Sequence, residues 1–427
     1  MNKKLLAIAV AAAMVAPMVA QAVDTTISGS ARVRAIDIHK ADDTDKDTNF
    51  EQKKYYDQRV RIKIDAKLTK KDAGKGIDPT GTAVHTRFTI SDGKFDATRN
   101  TRKQHPTEAD ASGVLTDYAY LSVPIGPGTL NAGLQLASWG NAMMTWAVKK
   151  DRIKYTLPLA GGMKVVLFTD KVLEASDTDK EEGMDYDTMA AAFIAPVMGG
   201  KAGLLYVNQN KRDGDSDHKT GKVNGTEAKK GVSGSTIDVF LNGKIGNIGL
   251  MAEFVSKSGE VNETGNGEQK APKAFFVAAT LPIGAMSLTV AGISTDRFAV
   301  DDDFVTGSMF SQFDGDANIH GTWGTGMDKT TGLVASLTLP AGPGKVSVNL
   351  GLGNYDMNDA DADDKENQGS IQALEVQYNM NVNSATTVKA FYGLTKFTSE
   401  YDEDNQTLKD LKDSTHKAMG AKIQVKF

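Results

Sequence analysis

Residues 59–68 read Arg-Val-Arg-Ile-Lys-Ile-Asp-Ala-Lys-Leu. In an extended chain Val60, Ile62, Ile64, Ala66 and Leu68 lie on one side, and Arg59, Arg61, Lys63, Asp65 and Lys67 on the other. A period of two marks a strand with one apolar and one charged face. Five charges in ten residues cannot point into a protein core, where each would need its own partner, so water has to reach that face. The pattern returns at 419–427, where Met419, Ala421, Ile423, Val425 and Phe427 alternate with Gly420, Lys422, Gln424 and Lys426. Lys345–Leu352 and Leu130–Leu136 alternate in the same way, whereas Met163–Lys171 and Val114–Val123 fit either phase. Segments of about ten residues suit a tilted strand crossing a bilayer, which takes ~9–11.

The connections are of two kinds. Short ones fall at 124–128, 158–162, 196–200, 243–246, 282–285, 340–343 and 381–384, a longer one at 69–83 belongs with them, and eight of the eleven prolines lie in these eight connections. Proline cannot donate to a strand ladder, so it collects between strands. Thr-Leu-Pro-Leu-Ala-Gly-Gly (156–162), Thr-Leu-Pro-Ile-Gly-Ala (280–285) and Thr-Leu-Pro-Ala-Gly-Pro-Gly (338–344) repeat one turn design. Nine longer polar stretches lie between them, from 39–55 to 399–413. Short turns on one side and long loops on the other predict a transmembrane antiparallel β-barrel, an all-β fold with short periplasmic turns and long extracellular loops. The count is 18 strands, or 16 if one ambiguous hairpin belongs to a loop. A soluble sandwich or propeller would alternate too, but with a larger and more aromatic apolar face.

The 427 residues are 40% hydrophobic and 24% charged, with a formal charge of −5 and no cysteine. This composition excludes a disulfide framework, thiolate metal sites and a thiol nucleophile. The first 22 residues carry Lys3 and Lys4, an apolar run and Ala20-Gln21-Ala22. They read as a secretory signal cleaved between Ala22 and Val23, leaving 23–427 as one exported barrel domain. A multi-pass β-barrel of the Gram-negative outer membrane is the expected location. No two of the six histidines are spaced i, i+4, and none of the six Gly-Lys pairs precedes Ser or Thr, so neither a helical zinc site nor a phosphate loop is present. The reading is not an enzyme. It has no cofactor and no metal, and an acidic exterior disfavours nucleic acid.

A cation facing lipid near the bilayer centre costs ~2–4 kcal/mol, so the charged faces are assigned to the lumen. The basic wall residues are Arg32, Arg34, Arg59, Arg61, Lys63, Lys67, Arg87, Arg152, Lys154, Lys389, Lys422 and Lys426. The acidic ones are Asp65, Asp238, Glu253 and Glu375. Such a wall predicts a mild preference for anions, unless the cations only keep the lumen wet and pair with loop carboxylates. Acid runs such as 42–47, 177–182, 301–303 and 359–366 are assigned to loops, either as solvated tips or sharing divalent cations with lipopolysaccharide. The longest loop, 295–329, holds Phe310, Phe313, His320 and Trp323, and either enters the lumen or packs outside it. Tyr55, Tyr56, Tyr155, Phe254, Phe275, Tyr378 and Phe427 suit interfacial girdles, or equally positions in the lumen or at a trimer contact.

Several of these residues resemble the general porins of Gram-negative outer membranes. Val-Asp-Thr-Thr-Ile-Ser-Gly-Ser-Ala-Arg-Val-Arg (23–34) looks like a first porin strand. Gly-Thr-Leu-Asn-Ala-Gly-Leu-Gln (128–135) and Asp-Arg-Ile-Lys-Tyr-Thr-Leu-Pro (151–158) resemble the strands flanking the third porin loop. The terminal Phe427 resembles the signal read by the barrel-assembly machinery. The resemblance implies a homotrimer in outer-membrane lipid and lipopolysaccharide, passing small hydrophilic solutes. It also implies a third loop that folds inward and sets carboxylates against arginines. Residues 139–149 are short and hold no acid, so the chain departs from the family there. The extra hairpin resembles the eighteen-strand substrate-specific channels instead. Alternatives are a substrate-selective anion channel and a non-conducting adhesion or sheath barrel.

Overall fold

The computed structural model describes residues 23–41, 50–68, 81–94, 114–145, 147–173, 186–211, 222–223, 226–227, 234–259, 272–298, 300, 329–357, 367–400 and 414–427. The proposed signal 1–22, the long-loop acid runs and the aromatics Phe310, Phe313, His320 and Trp323 lie outside the described residues.

Eighteen antiparallel strands form one sheet. They are β1 Val23–Ala41, β2 Phe50–Leu68, β3 Ala83–Lys94, β4 Leu115–Ile125, β5 Gly128–Ala137 and β6 Val148–Pro158. Next come β7 Lys164–Leu173, β8 Tyr186–Val197, β9 Gly200–Lys211, β10 Gly234–Ile245, β11 Ile248–Gly259 and β12 Lys273–Ile283. The last are β13 Met286–Asp296, β14 Lys329–Ala341, β15 Gly344–Met357, β16 Asn367–Asn381, β17 Thr386–Glu400 and β18 Thr415–Lys426. Each pairs with the next, and β18 pairs with β1 from Ser30↔Lys426 to Ala41↔Thr415, which closes the barrel and leaves no edge. Phe427 continues that seam by exchanging both backbone hydrogen bonds with Gly29.

The turns follow the sequence. β4–β5 is joined at Gly126–Pro127, where Gly126 has φ +58° with proline beside it, a turn that needs glycine in its first central position. Large apolar residues such as Ile27, Val33, Met189, Leu333, Leu352 and Ile423 share the outer face and are 46–65% exposed, with others like them on neighbouring strands. This is a belt suited to hydrocarbon. Tyr155 lies outward over Gly128, Tyr378 over Gly344 and Phe427 over Gly29; a Cβ on any of these glycines would meet the ring within 3 Å. Gly128→Val is therefore expected to cost about 1–3 kcal/mol through overpacking. The check is the temperature at which the folded band is lost on a semi-native gel, with Gly126→Ala, whose added Cβ meets nothing within 4 Å, separating backbone strain from the clash.

Tyr56, Phe254, Phe275 and Phe427 are exposed outward, consistent with girdle positions. Tyr55 departs from that expectation: it packs inward against Ile36, Ile38, Phe391 and Ala418. β2 extends well past the belt, so its alternation carries Tyr55 to the inner face while Tyr56 faces out.

Candidate functional site

Cross-strand register puts Arg32, Arg34, Arg59, Arg61, Lys63, Lys67, Arg87, Arg152, Lys154, Lys389, Lys422 and Lys426 on the inner face, together with Asp65, Asp238, Glu253 and Glu375. Register does not make them alike. Lys67 and Lys426 are exposed at the short-turn rim. Lys389, Lys422 and Arg34 form one row across β17, β18 and β1.

Much of the basic wall is answered by carboxylates on the adjacent strand. Arg34, 1% exposed, donates from Nε to both oxygens of Asp57 at 2.9 and 3.1 Å, and its terminal nitrogen donates to Asp57 as well. Arg87 Nε donates to Asp117 at 2.7 Å, and Arg61 Nε lies 3.2 Å from the same oxygen. Lys63 and His85 both meet Asp65, at 2.6 and 2.7 Å. Arg152 holds both oxygens of Asp170 and lies 4.0 Å over the Phe168 ring. The pairing carboxylates thus come mainly from the wall itself, and three of them, Asp57, Asp117 and Asp170, are not brought out by the alternation alone. Asp57 continues the inner-face series two residues before Arg59. Asp117 sits at a register shift between β3 and β4, inside the segment whose phase was ambiguous. Asp170 lies in the other such segment.

Aromatic rings interleave with these pairs. His85 stacks on Tyr120 at 4.7 Å, Tyr120 meets Tyr118 at 5.8 Å, and Arg87 lies 5.0 Å over the Tyr118 ring.

The opposite half of the inner face carries a large apolar cluster. Val255, Ala274, Phe276, Ala278, Ala291, Ile293, Val334, Tyr355, Ile371, Ala373 and Phe397, from β11 to β17, form one buried cluster. Met143, from the loop after β5, and Phe298 and Val300, just after β13, complete it. Both loops therefore turn inward at their described residues. On β12 the inner Ala274, Phe276 and Ala278 alternate with the outer Phe275, Val277 and Ala279, so both faces are apolar and hydropathy carries no phase.

The loop 138–147 departs from the family pattern in chemistry but not in direction. Trp139 lies edge-on to Phe240 at 5.3 Å, and Trp139 and Met144 pack against the cluster of Ala190, Ala192 and Leu205, as Phe168 does. Its acid comes from the wall. Glu253 accepts the backbone N–H groups of Asn141 and Met143, one on each carboxylate oxygen. The Asn141 amide donates to the Leu241 and Ala252 carbonyls at 3.3 and 2.8 Å and accepts from Asn242. Gly140 has φ +61°, and a Cβ there would strike the Glu253 carboxylate. Asp238 and Glu253 are 0% and 1% exposed, so they meet the loop and each other's strand rather than solvent. Glu375 is also buried and accepts from the Asn349 amide at 3.0 Å.

No protein-family model and no curated relative matches the chain. Solved structures do. The outer membrane protein opdK of Pseudomonas aeruginosa superposes with a TM-score of 0.55 at 8% identity, covering 94% of this chain and 99% of that one. OpdQ of the same organism gives 0.57 at 9% identity, covering 95% and 98%. OccAB4 of Acinetobacter baumannii gives 0.55 at 10% identity, covering 94% and 98%. At such identities the likeness is one of fold, and it covers nearly the full chain.

Proposed function

We propose that this chain is an outer-membrane porin, a passage through which small hydrophilic solutes and ions cross by passive diffusion with a mild preference for anions. The observation that carries this reading is the division of the interior. Charged, hydrogen-bonded columns line β1–β7, while inward loops cover the apolar inner face of β11–β17. A wet route along the charged wall follows, with an apolar belt outside for lipid. Export through the 1–22 signal, assembly by the barrel machinery through Phe427, trimerisation and contact with lipopolysaccharide belong to the same proposal.

A substrate-selective anion channel is the second reading. It is favoured by the anchored loop beside the cationic wall, and one structural neighbour, OpdK, has been solved with vanillate, a carboxylate. Purified protein in a planar bilayer under a salt gradient separates these readings. Ohmic steps with an anion-favouring reversal potential are the expected result. Saturable block by millimolar vanillate would favour the selective channel. Cation-favouring currents would remove the anion assignment, and silence from a folded barrel would remove the channel.

A further inference from the structure

Among the wall residues named above, Lys154 is a cation for which the described residues supply no ion pair, and unlike Lys67 and Lys426 it is not exposed at the rim. Lys154 faces inward from β6, half-buried, with Asn131 beside it on β5 and Phe168 on β7. All residues within two positions of these partners are described, and no carboxylate among the described residues reaches the ammonium. The nearest acid on that face, Asp170, is held by two nitrogens of Arg152. Asn131 is engaged as well, accepting from the Ser122 hydroxyl at 2.9 Å. Phe168 packs against the same Ala190, Ala192 and Leu205 that Trp139 and Met144 of the inward loop meet, so Lys154 stands beside the part of the wall that the loop reaches.

A guanidinium–carboxylate pair presents a dipole, whose field fades quickly across a wet channel. An unpaired ammonium half-sunk in a low-dielectric wall presents a net charge, and such walls focus its field into the passage. We infer that Lys154 is the wall group at which a passing anion, a small carboxylate or an inorganic anion, makes its charge contact, and that it sets the ion preference of the channel. This rests on the diffusion-channel reading proposed above.

The test is the reversal potential of the full-length protein in a potassium chloride gradient. Lys154→Glu is expected to lower the anion-to-cation permeability ratio by about threefold or more. Lys149→Glu makes the same charge change on the outer face of β6 and is expected to leave the ratio unchanged. Should Lys154→Glu fail to assemble, Lys154→Cys can be labelled after assembly, and the chain has no other cysteine to react. A cationic methanethiosulfonate should restore the preference and an anionic one reverse it. An unmodified protein that conducts with anion preference, retained in Lys154→Glu or in the anionic adduct, overturns the inference. So does one that already prefers cations. A folded unmodified protein that passes no current overturns the channel reading instead.

Discussion

Glu253→Ala is expected to open the passage: single-channel conductance rises and current noise increases. The substitution removes a side chain that receives two backbone N–H groups of the loop, from Asn141 and Met143. A buried donor left without an acceptor costs about 1–3 kcal/mol, and here there are two, both inside the barrel. The loop regains those bonds most simply by swinging toward water, away from β10 and β11. Glu253→Gln keeps one acceptor oxygen and adds donors where the loop also offers donors, so an intermediate rise is expected. In Glu253→Ala the swing also gives up the Asn141 amide bonds to Leu241 and Ala252, whereas Glu253→Gln retains them; the barrel stays folded in both because its strands close on one another without the loop. If conductance is unchanged in Glu253→Ala, burial of Met143 among Val255, Phe276 and Phe298 is what holds the loop, and the hydrogen bonds are secondary.

That anchor was beyond the reach of the sequence, and the reason is physical. Glu253 was read as a wall acid from its strand phase, and its inward direction is what the register gives. Whether an inward carboxylate meets water or a loop depends on where residues 139–145 travel, and no periodicity encodes that path. The barrel was legible because closure and lipid impose a strict period of two on segments such as 59–68 and 419–427, and because prolines punctuate the turns. The inner face of β11–β17 was illegible for the complementary reason. Where loops cover it, Phe276, Ile293 and Ile371 satisfy the inside as well as lipid would satisfy the outside, and the contrast between faces vanishes. The bulge that places Asp117 between Arg61 and Arg87 breaks the phase that would have revealed it.

The paired wall makes a second large effect, on stability. Arg34 lies between Asp57 on β2 and Lys422 on β18, with both neighbours largely buried. Asp57→Ala removes the carboxylate that meets Nε and a terminal nitrogen of a guanidinium that is 1% exposed and stands beside another cation. Removing one partner of a buried pair typically costs about 3–5 kcal/mol, because the charge left behind has lost both water and counter-ion. The folded band of Asp57→Ala is therefore expected to melt at a markedly lower temperature, and its urea midpoint to fall in detergent micelles. Replacing both groups tells a different story. Arg34→Met with Asp57→Leu leaves no stranded charge, and such apolar exchanges are often neutral or better, so the double variant is expected to hold within about 1 kcal/mol of the parent. The discriminating comparison is single against double. If Asp57→Ala is no less stable than the double variant, lumen water reaches Arg34 and screens it. The wall pairs would then be solvent-exposed contacts worth little, rather than the framework that keeps this half of the barrel rigid.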